Sequence, residues 1–169
     1  NVDIPKSQID RYQPGILNTV SHLGKVWGYP RAFSTKALFM NCDLLEQAGV
    51  ACEGPQTWDE LYSMAEAVTN NVPGVAGIGL TGKDFDNTMH QFLNYLYSNG
   101  GQVIDPDTNT ITLNSSNTVE ALAFYGKLAN VAQEGPLAYE RSQLRDLLND
   151  KKIAMYIDGP WGRGTHNED

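Results

Sequence analysis

Gly77-Ile78-Gly79-Leu80-Thr81-Gly82, followed by Lys83, is the first stretch whose spacing suggests chemistry. G-x-G-x-x-G and the P-loop both hold phosphate on backbone amides. Neither context is met. A dinucleotide motif needs a strand before its first Gly and a helix opening at its last, but these glycines fall inside Val75–Leu80, which itself reads as a buried strand. A P-loop needs Ser or Thr after the Lys; Asp84 stands there and Asp86 follows, so negative charge lies where phosphate would. The match is read as accidental. Asp105, Asp107 and Asn109 have the alternate spacing of a calcium loop, but Thr110 replaces the turn Gly and Ser116 replaces the bidentate Glu, so a turn is expected. Cys42 and Cys52, with no His nearby, fall short of four zinc ligands. There is no G-x-S-x-G, and none of His22, His90 and His166 is near a Cys in sequence. Asp84 and Asp86 sit in a turn, not across a cleft as a glycosidase pair must. These residues point to binding without catalysis, with no cofactor and no metal.

The remaining candidate is Trp161. Ile153, Met155 and Ile157 alternate with Ala154, Tyr156 and Asp158, the period of a strand with one face on a core and the other elsewhere. Gly159-Pro160 stops that strand, because Pro has no N–H for a ladder and Gly allows a sharp turn. Trp161 therefore lands just past a strand end. From these residues alone it either closes the end of a core, the simpler role, or offers a flat face to a ligand.

The elements around it read as alternating helices and short strands, which makes the class α/β. The chain has 169 residues, one domain or a large part of one, and an ordinary apolar fraction. Its net charge of −8 argues against nucleic acid and against an anionic membrane surface. It also disfavours a strongly acidic ligand, although a local pocket can oppose the overall sign. No apolar run approaches the ~20 residues of a membrane span. The opening residues carry Asp3, Lys6 and Asp10 and do not read as a signal peptide.

In order, Ile9, Tyr12, Ile16 and Leu17 suggest a short helical face, and Val26–Tyr29 a strand after a turn at Leu23-Gly24-Lys25. Residues 31–41 look extended. Asn41 can cap a helix from Cys42 to Ala48 that Gly49 ends. Thr57 and Glu60 form a capping box before a helix whose Leu61, Met64, Ala65 and Val68 face inward, with Trp58 packing its start. Asp86 or Asn87 can cap a helix bearing Phe92, Leu93 and Leu96, closed by Asn99-Gly100-Gly101. A hairpin turns at Asp105-Pro106-Asp107. Ser115 or Ser116 starts a long helix with Val119, Leu122, Ala123 and Leu128 inward, broken by Gly135-Pro136. Leu144, Leu147 and Leu148 mark a last helix before the Ile153 strand.

Four blocks in order carry a family resemblance: Trp27-Gly28-Tyr29-Pro30 through Asn41, Gly54-Pro55-Gln56-Thr57-Trp58-Asp59-Glu60-Leu61, Tyr97-Ser98-Asn99-Gly100-Gly101, and Ala154-Met155 with Gly159-Pro160-Trp161. From about Gly24 onward the chain resembles bacterial extracellular solute-binding proteins, the maltose-binding-protein-like receptors of ABC sugar importers. The resemblance implies a helix-rich lobe of a periplasmic-binding-protein type II fold. It implies an internal stretch of a longer receptor: residues 1–30 as the tail of a first lobe, 31–41 as a hinge strand, and 42–169 as most of the second lobe. It implies export to the periplasm or to the cell surface as a lipoprotein, where Cys42 and Cys52 either pair or remain two thiols.

By the same resemblance the ligand is a carbohydrate, the protein partner a membrane permease, and no nucleic acid is involved. Trp161 matches the sugar-stacking Trp of the family motif. Ser34 stands on the hinge strand where maltose-binding members have a carboxylate, a departure that leaves maltodextrin specificity unsupported. His90 falls at the place of a stacking Tyr and, with Gln91, can hydrogen-bond a sugar; the alternative for His90 is an exposed residue in a first helical turn. Arg31 and Lys36 are basic hinge-region residues suited to a sugar acid or sugar phosphate. The competing readings are a carbohydrate-active enzyme or lectin-like domain using Trp161 as platform, and a receptor for another solute such as glycerol phosphate or a polyamine.

Overall fold

The computed structural model describes residues 4–165, so His166 lies outside the described residues. The chain divides into two compact units, residues 1–35 and 36–169.

The first unit holds two short helices, α1 (Lys6–Ile9) and α2 (Pro14–Asn18), and a hairpin of β1 (Ser21–His22) and β2 (Lys25–Val26). Leu23 and Gly24 both have positive φ, the requirement of a tight two-residue hairpin turn. The expected strand from Val26 to Tyr29 is shorter and starts one residue earlier; Trp27 N still donates to Val20 O at 2.9 Å, and its Nε1 donates to His22 O at 3.1 Å. No described residue of this unit is fully buried, and Leu23, Trp27, Tyr29 and Phe33 are exposed.

The second unit contains a three-stranded sheet in the order β3 (Ala37–Met40), β7 (Ile153–Asp158), β4 (Ala76–Ile78). β7 is central, antiparallel to β3 with Ala37 opposite Asp158, and parallel to β4 with Ile78 opposite Met155. The intervening elements are α3 (Cys42–Gln47), α4 (Trp58–Asn71), α5 (Asp86–Ser98), a small hairpin β5 (Ile104–Asp105) and β6 (Thr110–Ile111), α6 (Ser116–Lys127), α7 (Arg141–Asn149), and α8 (Gly162–Thr165) after β7. Residues 31–36 have no regular secondary structure, so the extended segment becomes a strand only from Ala37.

β7 does not have a free face. Ile153, Ala154, Met155 and Tyr156 are all inaccessible. Ala154 and Met155 belong to the larger core with α3, α4 and α6, while Ile153 and Tyr156 pack with Leu144 and Leu148 of α7. A strand covered by helices on both sides has no solvent face for its alternation to serve.

Several local signals act as their residue types dictate. Asn41 Oδ1 accepts from Leu44 N at 3.2 Å and caps α3. Thr57 Oγ1 accepts from Glu60 N at 3.1 Å, but the Glu60 carboxylate reaches Gln56 N, at 2.6 Å, one residue before the cap. Gly100 (φ +70°) and Gly101 end α5, with Gly101 N donating to Leu96 O at 2.9 Å. Cys42 and Cys52 are disulfide-bonded, with Cα atoms 5.2 Å apart. Asp105 Oδ1 takes the N–H groups of Asp107 and Thr108 and makes the turn.

Two expectations are corrected. α5 is capped at Phe85, with no side-chain cap, and Asn87 is buried in its first turn. α6 turns a different face inward. Thr118, Ala121, Phe124, Tyr125 and then Leu128 are buried, while Val119, Leu122 and Ala123 are exposed. Phe124 stacks on Trp58 at 4.7 Å between centroids and Tyr125 lies 5.3 Å from Tyr95. Two aromatic rings bury more apolar area than Val and Leu and set the rotation of the helix.

The Gly77 stretch serves packing. A Cβ on Gly77 would lie 2.0 Å from Ala65 O, and one on Gly79 would lie 2.6 Å from Ile153 Cδ1. The glycines let α4 and β7 approach the β4 backbone. No helix opens at Gly82, since α5 begins at Asp86.

Candidate functional site

β4 and β7 are parallel and β3 is antiparallel to them, so the ends of β4 and β7 and the start of β3 share one edge of the sheet. Ligands of α/β sheets collect outside such strand ends. Beyond β4 the strand direction is kept by Gln133, whose side-chain amide accepts from Leu80 N at 2.9 Å and donates to Leu80 O at 2.7 Å. Beyond β7 come Gly159, Pro160 and Trp161. Before β3 comes Lys36.

α7 feeds β7 through a tight turn at Asp150–Lys152 and runs back along it, which brings its first turns beside Asp158. Arg141 and Arg145 are four residues apart and so project from one face of α7. Arg145 Nε donates to Asp158 Oδ2 at 3.1 Å. Asp158 is fully buried, and its Oδ1 also accepts from Gly159 N and from Trp161 Nε1, each at 2.7 Å. A buried carboxylate needs such donors to offset its lost hydration.

These bonds set the ring of Trp161. The residue is 39% exposed. A Cβ on Gly159 would lie 2.2 Å from Trp161 Cζ2, so only Gly lets the indole fold back over the turn. Lys36 Nζ and Arg141 Cζ each lie 4.9 Å from the centroid of the indole, within reach of a cation–π attraction. Partial burial lowers the Lys36 pKa, and Arg141 and Arg145 push it the same way while Asp158 opposes them. Burial, with the Asp158 charge, raises the Tyr156 pKa. Arg145 Nη2 is buried with no acceptor.

The residues anticipated from sequence separate here. Gln91 is buried and donates to Ile157 O at 2.6 Å and to Tyr156 OH at 3.3 Å, tying α5 to the end of β7. His90 is exposed beside it, and among the described residues no hydrogen bond or ring contact joins it to Trp161. Arg31 and Ser34 belong to the other unit and are both exposed. Asp158, Arg141 and Arg145 were not anticipated. The available signal was an Asp closing a strand just before Gly-Pro, and an Arg pair at helical spacing leading into that strand. The edge offers a flat aromatic surface, cations and fixed dipoles, the components of a recognition site.

Comparison with known proteins places the chain in a family and a fold. The bacterial extracellular solute-binding protein family matches residues 1–168. A putative binding protein of Brucella abortus is 29% identical over 140 residues, 82% of this chain and 33% of that protein. MalE3 of T. maritima, solved with maltose, superposes with a TM-score of 0.83 at 27% identity, over 96% of this chain and 41% of its own. An ABC transporter solute-binding protein of Thermotoga lettingae, bound with α-D-tagatose, gives 0.79 at 28% identity, over 89% and 39%. The chain thus spans well under half the length of these relatives. Its α/β architecture is that of type II periplasmic binding proteins. With a family match over nearly every residue and a shared fold, the chain belongs to the bacterial extracellular solute-binding protein family.

Proposed function

We propose that this chain is part of the substrate-binding component of an ABC importer and that it captures a carbohydrate, with Trp161 as the stacking surface. The observation that carries the reading is the placement of Trp161. Its ring is partly exposed past the end of the central strand, and its N–H is held by a buried carboxylate. Sugars present apolar C–H faces to such rings and hydroxyls to polar groups around them. His90 supplies a hydrogen-bonding side chain near the start of α5, and Gln91 positions that helix on β7. Ser34 and Arg31 contribute from the hinge segment. Residues 1–30 belong to the first lobe, 31–41 to the hinge strand and 42–169 to most of the second lobe. The exposed Leu23, Trp27 and Phe33 of the first unit support that division, since no described residue from 4 to 35 is fully buried. The receptor is exported, delivers its ligand to membrane permease subunits and performs no catalysis. Among the described residues no helix is long and apolar enough to cross a membrane.

Titration calorimetry of the full-length protein against a panel of mono- and oligosaccharides tests the reading. Saturable binding lost in Trp161→Ala supports it. Turnover of a chromogenic glycoside would instead favour an enzyme, and binding of only polyamines or glycerol phosphate a different receptor.

A further inference from the structure

Lys36, at the start of β3, and Arg141, on α7, converge on Trp161, and Arg145 on the same face of α7 joins them through Asp158. The chain as a whole carries −8, so this edge opposes the overall sign. Asp158 pairs with Arg145 and also attracts Lys36, so one buried carboxylate faces three cations. Among the described residues no carboxylate forms an ion pair with Lys36 or Arg141. The other charged groups felt at this edge are Glu140 and Lys83, one of each sign.

The arrangement is unfavourable for its cations in three ways. Lys36 is partly desolvated, and the repulsion of both arginines works against the attraction of Asp158. Arg141 opens α7, the end of a helix where the backbone dipole disfavours a cation. Arg145 keeps one guanidinium nitrogen buried with no acceptor. A negative group bound beside Lys36 and Arg141 would relieve the first two. Trp161 adds a second constraint. A ligand stacking on a ring face that a cation covers must displace that cation. A neutral sugar only loses the cation–π attraction, whereas an acidic sugar converts it into charge-assisted hydrogen bonds.

We propose that the Lys36, Arg141 and Arg145 cluster is an anion subsite and that the carbohydrate taken at Trp161 bears a carboxylate or phosphate. This rests on the carbohydrate reading above and narrows it to charged sugars. Arg141 and Arg145 supply planar forks suited to a two-oxygen group, and Lys36 a mobile point charge.

The test is calorimetry of the full-length protein against matched pairs: glucose and glucuronate, galactose and galacturonate, glucose and glucose 6-phosphate. The acidic member of at least one pair should bind about tenfold tighter or better. The uronate pairs and the phosphate pair tell which anion is meant. That preference should shrink when salt rises from about 20 mM to about 500 mM, which shortens the screening length severalfold. It should also shrink about tenfold in Lys36→Gln and in Arg141→Gln. The salt titration uses the unsubstituted protein and does not depend on a variant folding. Equal or tighter binding of the neutral member in every pair would overturn the anion subsite and leave the carbohydrate reading standing. An acidic preference untouched by salt and by both substitutions would overturn the assignment to this cluster. No binding by any member would overturn both readings.

Discussion

The indole Nε1 of Trp161 donates to Asp158 Oδ1 at 2.7 Å, across the Gly159-Pro160 turn. The same oxygen takes the Gly159 N–H, and the other takes Arg145 Nε. Asp158→Ala would leave these three donors without their acceptor, the Arg145 guanidinium among them. Removing one member of a buried pair costs about 3–5 kcal/mol. Denaturant unfolding should show that loss, and the Trp161 contribution to fluorescence should become more quenchable. A fully stable Asp158→Ala protein would show that the carboxylate does not hold the turn.

Trp161 and Trp58 should respond in opposite ways. Trp58 is half-buried and stacks on Phe124 at the margin of the core, so Trp58→Ala should cost about 3 kcal/mol of stability. Trp161→Ala should cost less stability but, on the proposed function, weaken carbohydrate binding by roughly 1–3 kcal/mol in the full-length protein. Melting and calorimetry of the two variants decide. Unchanged affinity with a large drop in melting temperature for Trp161→Ala would make it a core residue only.

The disulfide closes a short loop, with Cys42 and Cys52 ten residues apart. The chain-entropy relation gives about 2–3 kcal/mol for a loop of that size. A reductant, or the double substitution Cys42→Ala and Cys52→Ala, should lower the melting temperature accordingly. Thiol titration of the unfolded, unreduced protein should find neither cysteine free.

Burial pushes the Tyr125 hydroxyl up to about 12 from 10.0, against hydrogen bonds with Thr81 that pull it down. Below pH 10 both folded and unfolded states keep this proton, and it has no effect on stability. Between about pH 10 and 12 the unfolded state loses it while the native state holds it, so stability falls as pH rises. Tyr125→Phe should flatten that fall. It should also cost about 1–3 kcal/mol at neutral pH, because Thr81 O loses its donor. Urea melts at stepped pH provide the measurement.

Gly77→Ala should be poorly tolerated, since the new Cβ meets the Ala65 backbone. Overpacking of this kind costs about 1–3 kcal/mol or more. The wild-type stretch should bind neither ATP nor NAD. Saturable micromolar binding of either nucleotide would refute the packing explanation for these glycines.

Much of this molecule follows from local chemistry. Asn41, Thr57 and Ser115 cap their helices because each oxygen reaches an amide within one turn. Leu61, Ala65 and Val68 bury one face of α4 because their spacing matches the helical period. Gly159-Pro160 ends β7 because the ladder cannot continue through Pro. Other features depend on residues far apart in the chain. β7 is covered on both faces because α4, distant in sequence, packs on one side and α7, just before it in the chain, on the other. The rotation of α6 is set by Trp58 and Tyr95, which its own periodicity cannot register. Gln91 turns inward because Ile157 O and Tyr156 OH await its amide. Lys36, Arg141 and Trp161 come together only because β3 and β7 pair antiparallel and α7 folds back on β7. Capping and periodicity act within a few residues and are legible in order, whereas a site assembled at a sheet edge exists only after long-range pairing has closed.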